Sequence, residues 1–188
     1  GGLLGLEAGH ALTSLGLHVT MLVRDSSVLQ RQLDPECAAL LLQILRDLRI
    51  EVLLNTELTG ILGEDKVEAV DLGGGRVLKC DLILATVGVR PVVDIAIDAA
   101  LDVNRGVVVD DELRTSDSAI YAVGDLAEHR ETLYGIWPAS VEQAKIAAAN
   151  LLGDHQSYQG TTPVTQLKLQ GVELVSLGEF NATEEDQV

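Results

Sequence analysis

Gly1-Gly2-Leu3-Leu4-Gly5 opens the chain, and Leu6-Glu7-Ala8-Gly9-His10-Ala11-Leu12-Thr13-Ser14-Leu15-Gly16 follows it without a break. The first five residues form the right-hand end of a Gly-x-Gly-x-x-Gly loop whose first glycine would fall just before residue 1. In such a loop Gly2 lets the backbone approach a pyrophosphate. Gly5 lets the helix lie close to a sheet, with its positive N-terminus beneath the phosphates. Taken alone, the motif reads equally well as a pair of helix-packing glycines. Its setting favours the loop: Leu3 to Leu15 carries apolar residues at helical spacing, Gly16 stops the helix as a C′ glycine does, and Leu17 to Val23 reads as a buried strand.

Asp34-Pro35-Glu36 then marks a helix start, with a capping acid and proline at the first position, leading to about Leu48. Ile50 to Leu54 follows as a strand. Helix, strand, helix, strand is half of a doubly wound unit. Three extended segments, Glu57 to Leu62, Lys66 to Leu72 and Arg76 to Cys80, read as an antiparallel meander, with Gly73-Gly74-Gly75 joining the last two. The apolar run Asp81 to Thr86 is expected to be a central parallel strand buried on both faces.

Past Gly88 and Pro91, strands are expected at Val107 to Val109 and Ala119 to Val123, and a helix at Val141 to Leu152 ended by Gly153. Leu167 to Leu169 and Val172 to Leu177 form an expected hairpin around Gly171, and the acidic Glu184-Glu185-Asp186 is expected to fray. The sequence starts inside a glycine motif without a start methionine or a preceding strand, so a piece of a longer protein is expected.

Composition excludes some classes of partner. The 29 acidic against 13 basic residues give a net charge of −16, which repels phosphate backbones and anionic head groups, so neither nucleic acid nor a membrane surface is an expected partner. No apolar stretch is long enough to span a bilayer. Cys37 and Cys80 are far apart, without Cys-x-x-Cys spacing or a histidine cluster. No metal site or redox disulfide is read from them, and each is expected to be a small buried hydrophobe in a reducing, cytoplasmic setting.

A second motif is Thr115-Ser116-Asp117-Ser118-Ala119-Ile120-Tyr121-Ala122-Val123-Gly124-Asp125. A carboxylate at the end of a strand can accept hydrogen bonds from a polyol, and the glycine before it leaves room for the ligand. A bare Gly-Asp pair would be only a turn; the eleven-residue string is more specific. About 20 residues beyond the glycine loop, where a dinucleotide fold usually offers an acid to the ribose, stands Val23, followed by Arg24 and Asp25.

Gly-Gly-Leu-Leu-Gly-Leu-Glu, Ala85-Thr86-Val87-Gly88-Val89-Arg90-Pro91 and the Thr115 to Asp125 string occur in the order and spacing of the pyridine nucleotide-disulfide oxidoreductase-type flavoproteins, which this chain resembles over nearly its whole length. Gln32-Leu33-Asp34 and Tyr134-Gly135-Ile136-Trp137-Pro138 through Glu142-Gln143-Ala144 look most like the flavoprotein module of NAD(P)H nitrite reductase large subunits, with rubredoxin and ferredoxin reductases close behind. Thr165 to Val172 resembles the start of that subfamily's C-terminal domain.

The resemblance implies an α/β fold of Rossmann-like FAD/NAD(P)-binding domains, three-layer ββα with an antiparallel β-meander. Residues 1–86 would be an NAD(P)-binding domain lacking its first strand, 87–157 the second half of an FAD-binding domain and 158–188 the start of a C-terminal domain. It further implies that Gly2 and Gly5 match the nucleotide pyrophosphate glycines. Glu7 matches a glutamate near the nicotinamide end; its other reading is a solvated acid favoured by the helix dipole. Gly88 matches the crossing between nucleotide domains, Asp125 the aspartate on the FAD ribityl chain, and Gly124 its neighbour.

The helix after Pro138 would point its N-terminus at the flavin pyrimidine ring, with Trp137 at its entry or, alternatively, an ordinary core aromatic. Arg24 stands where NADPH-dependent glutathione reductases have an arginine facing the 2′-phosphate, although it could simply pair with Asp25 in solvent. The implied cofactors are FAD and NAD(P)H, and the implied partners are a nicotinamide dinucleotide, the missing N-terminal FAD segment and a redox acceptor protein or domain, with a homo-oligomer allowed. No side chain here need act as catalytic acid or base. A non-catalytic nucleotide-binding fragment is the rival reading.

Overall fold

The computed structural model describes residues 1–169 and 171–178. They fall into two compact units, Gly1–Gly88 with the segment from Val164 onward, and Val89–Pro163. The expected fraying of Glu184 to Asp186 lies outside the described residues.

In the first unit, helix α1 (Leu3–Ser14) precedes strand β1 (Val19–Leu22), helix α2 (Pro35–Asp47) and strand β2 (Ile50–Leu53). Gly16, at φ +85°, ends α1 in the left-handed turn that a side chain would resist. β1 and β2 pair in parallel, Val19 opposite Ile50 and Leu22 opposite Leu53. Helix α2 lays Ala38, Leu41 and Leu45 into the core, a stripe at helical spacing. Leu45 is fully buried, and its truncation to alanine should cost about 2–5 kcal/mol.

The meander also forms: β3 (Gly60–Leu62), β4 (Ala69–Asp71) and β5 (Val77–Lys79) pair antiparallel in that order. The Gly73-Gly74-Gly75 turn runs at φ +76°, +61° and +79°, three successive left-handed residues that explain the three glycines. Strands β9 (Val164–Leu169) and β10 (Val172–Leu177) form the expected hairpin and add Leu167 and Leu169 to the same core as Leu6, Met21 and Ile50.

The second unit holds a short helix α3 (Asp94–Asp98) and a three-stranded sheet ordered β6 (Val107–Val109), β7 (Ala127–His129), β8 (Thr132–Leu133). β6 pairs parallel to β7, and β7 antiparallel to β8. Helix α4 (Trp137–Leu151) covers a core of Val107, Leu113, Ala122, Ala127, Ala147 and Tyr158.

Three expectations fail. Asp81 to Thr86 is not a buried strand: no ladder includes it, and Leu82 and Leu84 are 62% and 54% exposed. A strand exists only by pairing, and no described strand pairs with it. Ala119 to Val123 is likewise not a strand; Tyr121 makes one isolated bridge to Arg114. Local bonds occupy its backbone instead: the Ile120 carbonyl accepts the Thr115 N–H, Ile120 N–H donates to the Asp117 carbonyl, and the Asp117 side chain accepts the Ala119 N–H. Cys37 is exposed and Cys80 half-buried, so neither is the buried hydrophobe expected. Cys37 stands on the first turn of α2, turned away from the stripe that packs.

Candidate functional site

Helix α1 begins at Gly2, in extended conformation (φ −83°, ψ 175°), and no side chain caps it. Its first internal bond runs from Leu6 N–H to the Gly2 carbonyl at 3.1 Å, so the amides before Leu6 lack helical acceptors. A Cβ built on Gly2 would meet nothing within 4 Å, whereas one on Gly5 would lie 2.8 Å from Thr86 Oγ1. The two glycines therefore serve different needs: Gly5 lets α1 press against Thr86, and Gly2 leaves open space beside a positive helix end. Gly9 was missed as part of this packing, although it lies one turn on; a Cβ there would sit 3.2 Å from Met21 Cε on β1.

The end of β1 meets the glycine loop, since a Cβ on Gly1 would come 2.6 Å from Val23 Cγ1. Arg24, next in sequence, is exposed, its Nε 3.6 Å from Asp25 Oδ1 and 3.9 Å from Glu57 Oε1. Glu57 arrives there because the chain after β2 is stitched to the chain after β1. Thr56 N–H donates to the Val23 carbonyl and Asn55 N–H to that of Asp25. Glu7, in the second turn of α1, accepts the Lys168 N–H of β9 at 3.1 Å. Gly88, at φ +91°, is the last residue of the first unit's leading segment.

In the second unit Gly124 (φ +84°) starts a 3-10 turn, Gly124–Leu126, that holds the exposed Asp125. Helix α4 lies beside it. Ser140 Oγ is 3.2 Å from the Ile136 carbonyl and 3.4 Å from Asp125 Oδ1, and Gln143 Oε1 accepts the Gly124 N–H at 2.7 Å. No side chain caps α4, and Trp137 at its start is 81% exposed, which removes the reading as a core aromatic.

Strand β7, directly after the turn, is anchored by polar groups that sequence patterning would place in solvent. Burial raises the pKa of the Glu128 carboxyl, but bonds from the Gly106 N–H, the Asn104 amide and the Arg105 N–H outweigh it and bring it below the usual range. His129 is fully buried against Asp111, whose carboxyl the hydrogen bonds from Arg130 and then His129 pull down to about 2. A groove of about 710 Å³ in this unit is walled by Asp110, Asp111, Glu112 and Glu128 and includes neither Gly124 nor Asp125. Among the described residues no group of three or more histidines, cysteines or acids is placed to hold a metal, and no helix is long and apolar enough to cross a membrane.

The sequence model for pyridine nucleotide-disulphide oxidoreductases matches residues 1–148. The chain belongs to this family. It is 39% identical over 186 residues to the nitrite reductase [NAD(P)H] of Bacillus subtilis (strain 168), covering 98% of this chain and 23% of that protein. It is 36% identical to the rubredoxin-NAD(+) reductase of Ectopseudomonas oleovorans, covering 95% and 48%. Among solved structures, the covalent putidaredoxin reductase-putidaredoxin complex superposes with a TM-score of 0.84 at 30% identity, over 94% of this chain and 44% of that one. The ferredoxin reductase for the CYP199A2 system of Rhodopseudomonas palustris does so at 0.83 and 31%, over 93% and 45%.

The chain thus spans less than half of each of these proteins. The fold is the Rossmann-like α/β fold of FAD/NAD(P)-binding reductases. For a member of this family the grouping of the expected residues is informative. Gly2, Gly5, Glu7 and Arg24 lie on α1 and at the end of β1, while Gly124 and Asp125 lie beside the start of α4. Glu57, Ser140 and Gln143 escaped sequence reading. Gln143 stood within the string that carried the resemblance, and its position four residues from both Ala139 and Ala147, on the face that also buries Asn150, was the available signal.

Proposed function

We propose that these residues form the nicotinamide-nucleotide site and the ribityl end of the flavin site in a larger FAD-dependent NAD(P)H oxidoreductase, one that passes electrons to a redox acceptor as nitrite reductase-like enzymes do. Residues 1–86 act as the NAD(P)-binding part, 87–157 as the second half of the FAD-binding part and 158–188 as the start of a C-terminal domain. The observation that carries the proposal is the open, uncapped start of α1: a site with free amides, a positive dipole end and a glycine whose missing side chain the protein itself does not require. In this reading Gly2 and the first-turn amides bind the pyrophosphate, Glu7 lies towards the nicotinamide, and Gly88 carries the chain between nucleotide domains.

Asp125 accepts hydrogen bonds from the ribityl hydroxyls, Gly124 makes room for them, and the uncapped start of α4 with Trp137 faces the pyrimidine ring. Bound flavin supplies the hydride-accepting chemistry; the side chains here bind and orient. The runner-up acceptor is a rubredoxin- or ferredoxin-type protein, favoured by the 36% identity to a rubredoxin reductase.

The test uses the full-length protein loaded with FAD. Anaerobic NADH or NADPH should bleach the flavin band, and Gly2→Val should slow bleaching at limiting nucleotide at least tenfold without lowering the melting temperature, because Gly2 has ordinary φ and open surroundings. Bleaching that Gly2→Val leaves untouched would refute the assignment of the α1 site.

A further inference from the structure

We infer that Gln143 is the positioning residue for Asp125, fixing the direction of its carboxylate through the backbone of Gly124 without touching the ligand. The inference rests on the reading of Asp125 as the ribityl-binding acid. It starts from a buried amide in an unexpected place. Gln143 is 1% exposed, and its neighbours on the buried face of α4, Ala139 and Ala147, are small and apolar. A leucine would fill such a site with less desolvation, so a carboxamide there needs a polar task.

The task is visible. The Oε1 atom accepts the Gly124 N–H at 2.7 Å, across a sequence separation of nineteen residues. Gly124 sits at φ +84°, a conformation that a side chain resists, yet a Cβ would find its nearest neighbour, Ser140 Oγ, at an ordinary 3.7 Å. Backbone conformation, not lack of space, thus calls for glycine here. A glycine in that region is also the residue most free to leave it, and the bond to Gln143 anchors the Val123–Gly124 peptide, the one that enters the turn carrying Asp125.

One helical turn earlier, Ser140 Oγ is 3.4 Å from Asp125 Oδ1 while also 3.2 Å from the Ile136 carbonyl. Its single proton serves one acceptor at a time, so Ser140 adjusts the carboxylate while Gln143 fixes the turn. The residue before Gln143 is tied to the core. Tyr158 is fully buried in the core beneath, its hydroxyl shared with Thr161, which in turn donates to Glu142 beside Gln143. Glu142 is therefore tied down on one side, while Gln143 bonds the turn through Oε1 on the other.

The experiment measures the FAD dissociation constant of the full-length apoprotein by flavin fluorescence, with four variants: Gln143→Leu, Gln143→Glu, Asp125→Ala and the double Gln143→Leu/Asp125→Ala. Gln143→Leu removes the acceptor and leaves the Gly124 N–H unsatisfied, and should weaken FAD about tenfold. Gln143→Glu keeps an oxygen in the same place but buries a carboxyl, so it should weaken FAD less than Gln143→Leu at acid pH, where that carboxyl is protonated. NADH affinity should not change in either. In the Asp125→Ala background, Gln143→Leu should have no further effect, because a residue acting through Asp125 has nothing left to position. General loosening of the unit would instead multiply with Asp125→Ala. The inference is overturned if Asp125→Ala weakens FAD while Gln143→Leu does not, if the two effects multiply, or if Gln143→Glu is as damaging as Gln143→Leu even at acid pH. Should Asp125→Ala itself leave FAD binding intact, the ribityl reading fails first and the positioning role falls with it.

Discussion

Helices α1 and α2 start in opposite ways within one unit. At α2, Asp34 accepts the Cys37 N–H at 2.7 Å, Pro35 occupies the first turn where its missing N–H costs nothing, and Glu36 adds a favourable charge to the dipole. At α1 there is a glycine, no side-chain cap and no acid in the first turn. Both helices pack against the same core, and both end in a left-handed residue, Gly16 after α1 and Arg49 after α2. The beginnings differ in kind. A helix that satisfies its own first amides is finished as a structural element, whereas one that leaves them open, with nothing crowding the glycine at its start, is shaped for an anion from outside.

The largest expected effect comes from making the first helix like the second. Gly2→Asp would place a carboxylate at the N-cap of α1, in an extended conformation that suits it and with no neighbour within 4 Å to clash. The new side chain would take the amides for itself and set a negative charge against the pyrophosphate. Nucleotide affinity, measured by calorimetry on the full-length protein, should fall at least a hundredfold, while thermal stability stays level or rises by a few tenths of a kcal/mol. Retained affinity would mean that the open helix end is not where the phosphates bind.

Next in size is the other glycine of the pair. Gly5→Val would push a branched side chain into Thr86, already 2.8 Å from the nearest Cβ position, and should lower stability by about 1–3 kcal/mol in a denaturant titration. Together the Gly2 and Gly5 substitutions separate binding from packing within one motif. If Gly5→Val is as stable as the natural chain, α1 can slide away from Thr86 and the close approach is not required. Breaking the structural start instead, Asp34→Ala should cost about 1 kcal/mol of stability and leave nucleotide affinity unchanged. A change in affinity there would blur the distinction between the two helix starts.

How much of this was legible beforehand follows from where each element gets its bonds. α1, α2, β1, β2 and the meander could be read because glycine, proline and capping acids act locally, on residues a few positions away. Asp81 to Thr86 was misread because an apolar run says what a strand would bury but not whether a partner lies beside it. Strand β7 was missed for the opposite reason: Glu128 and His129 look like surface residues until Gly106, Asn104 and Asp111 arrive from elsewhere in the chain to satisfy them. The site divided in the same way. Glycines and the Gly-Asp pair stood out as motifs, but Glu57 and Gln143 matter through contacts 33 and 19 residues distant in sequence, which no local pattern encodes.

The smallest expected effects concern which nucleotide the open helix end receives. Arg24 lies one residue beyond Val23, whose side chain abuts Gly1, so it is close enough to the loop to meet a ribose or its 2′-phosphate. Its present partners, Asp25 and Glu57, are exposed carboxylates at 3.6 and 3.9 Å, the kind of pair that water and salt weaken. A phosphate offers a stronger, charge-assisted bond, and Arg24 should turn to it. The full-length enzyme is therefore expected to accept NADPH, and Arg24→Ala should lower the NADPH to NADH ratio of kcat/KM about tenfold. Glu57 opposes this preference by competing for the guanidinium and by repelling the phosphate, as Asp25 does. Glu57→Gln removes the charge but keeps the shape and should raise the ratio by about two- to fivefold, less at high salt because the groups are exposed. An Arg24→Ala enzyme with an unchanged ratio would show that Arg24 does not read the phosphate. A ratio that moves with Arg24→Ala but not with Glu57→Gln would leave Asp25 as the acid that matters.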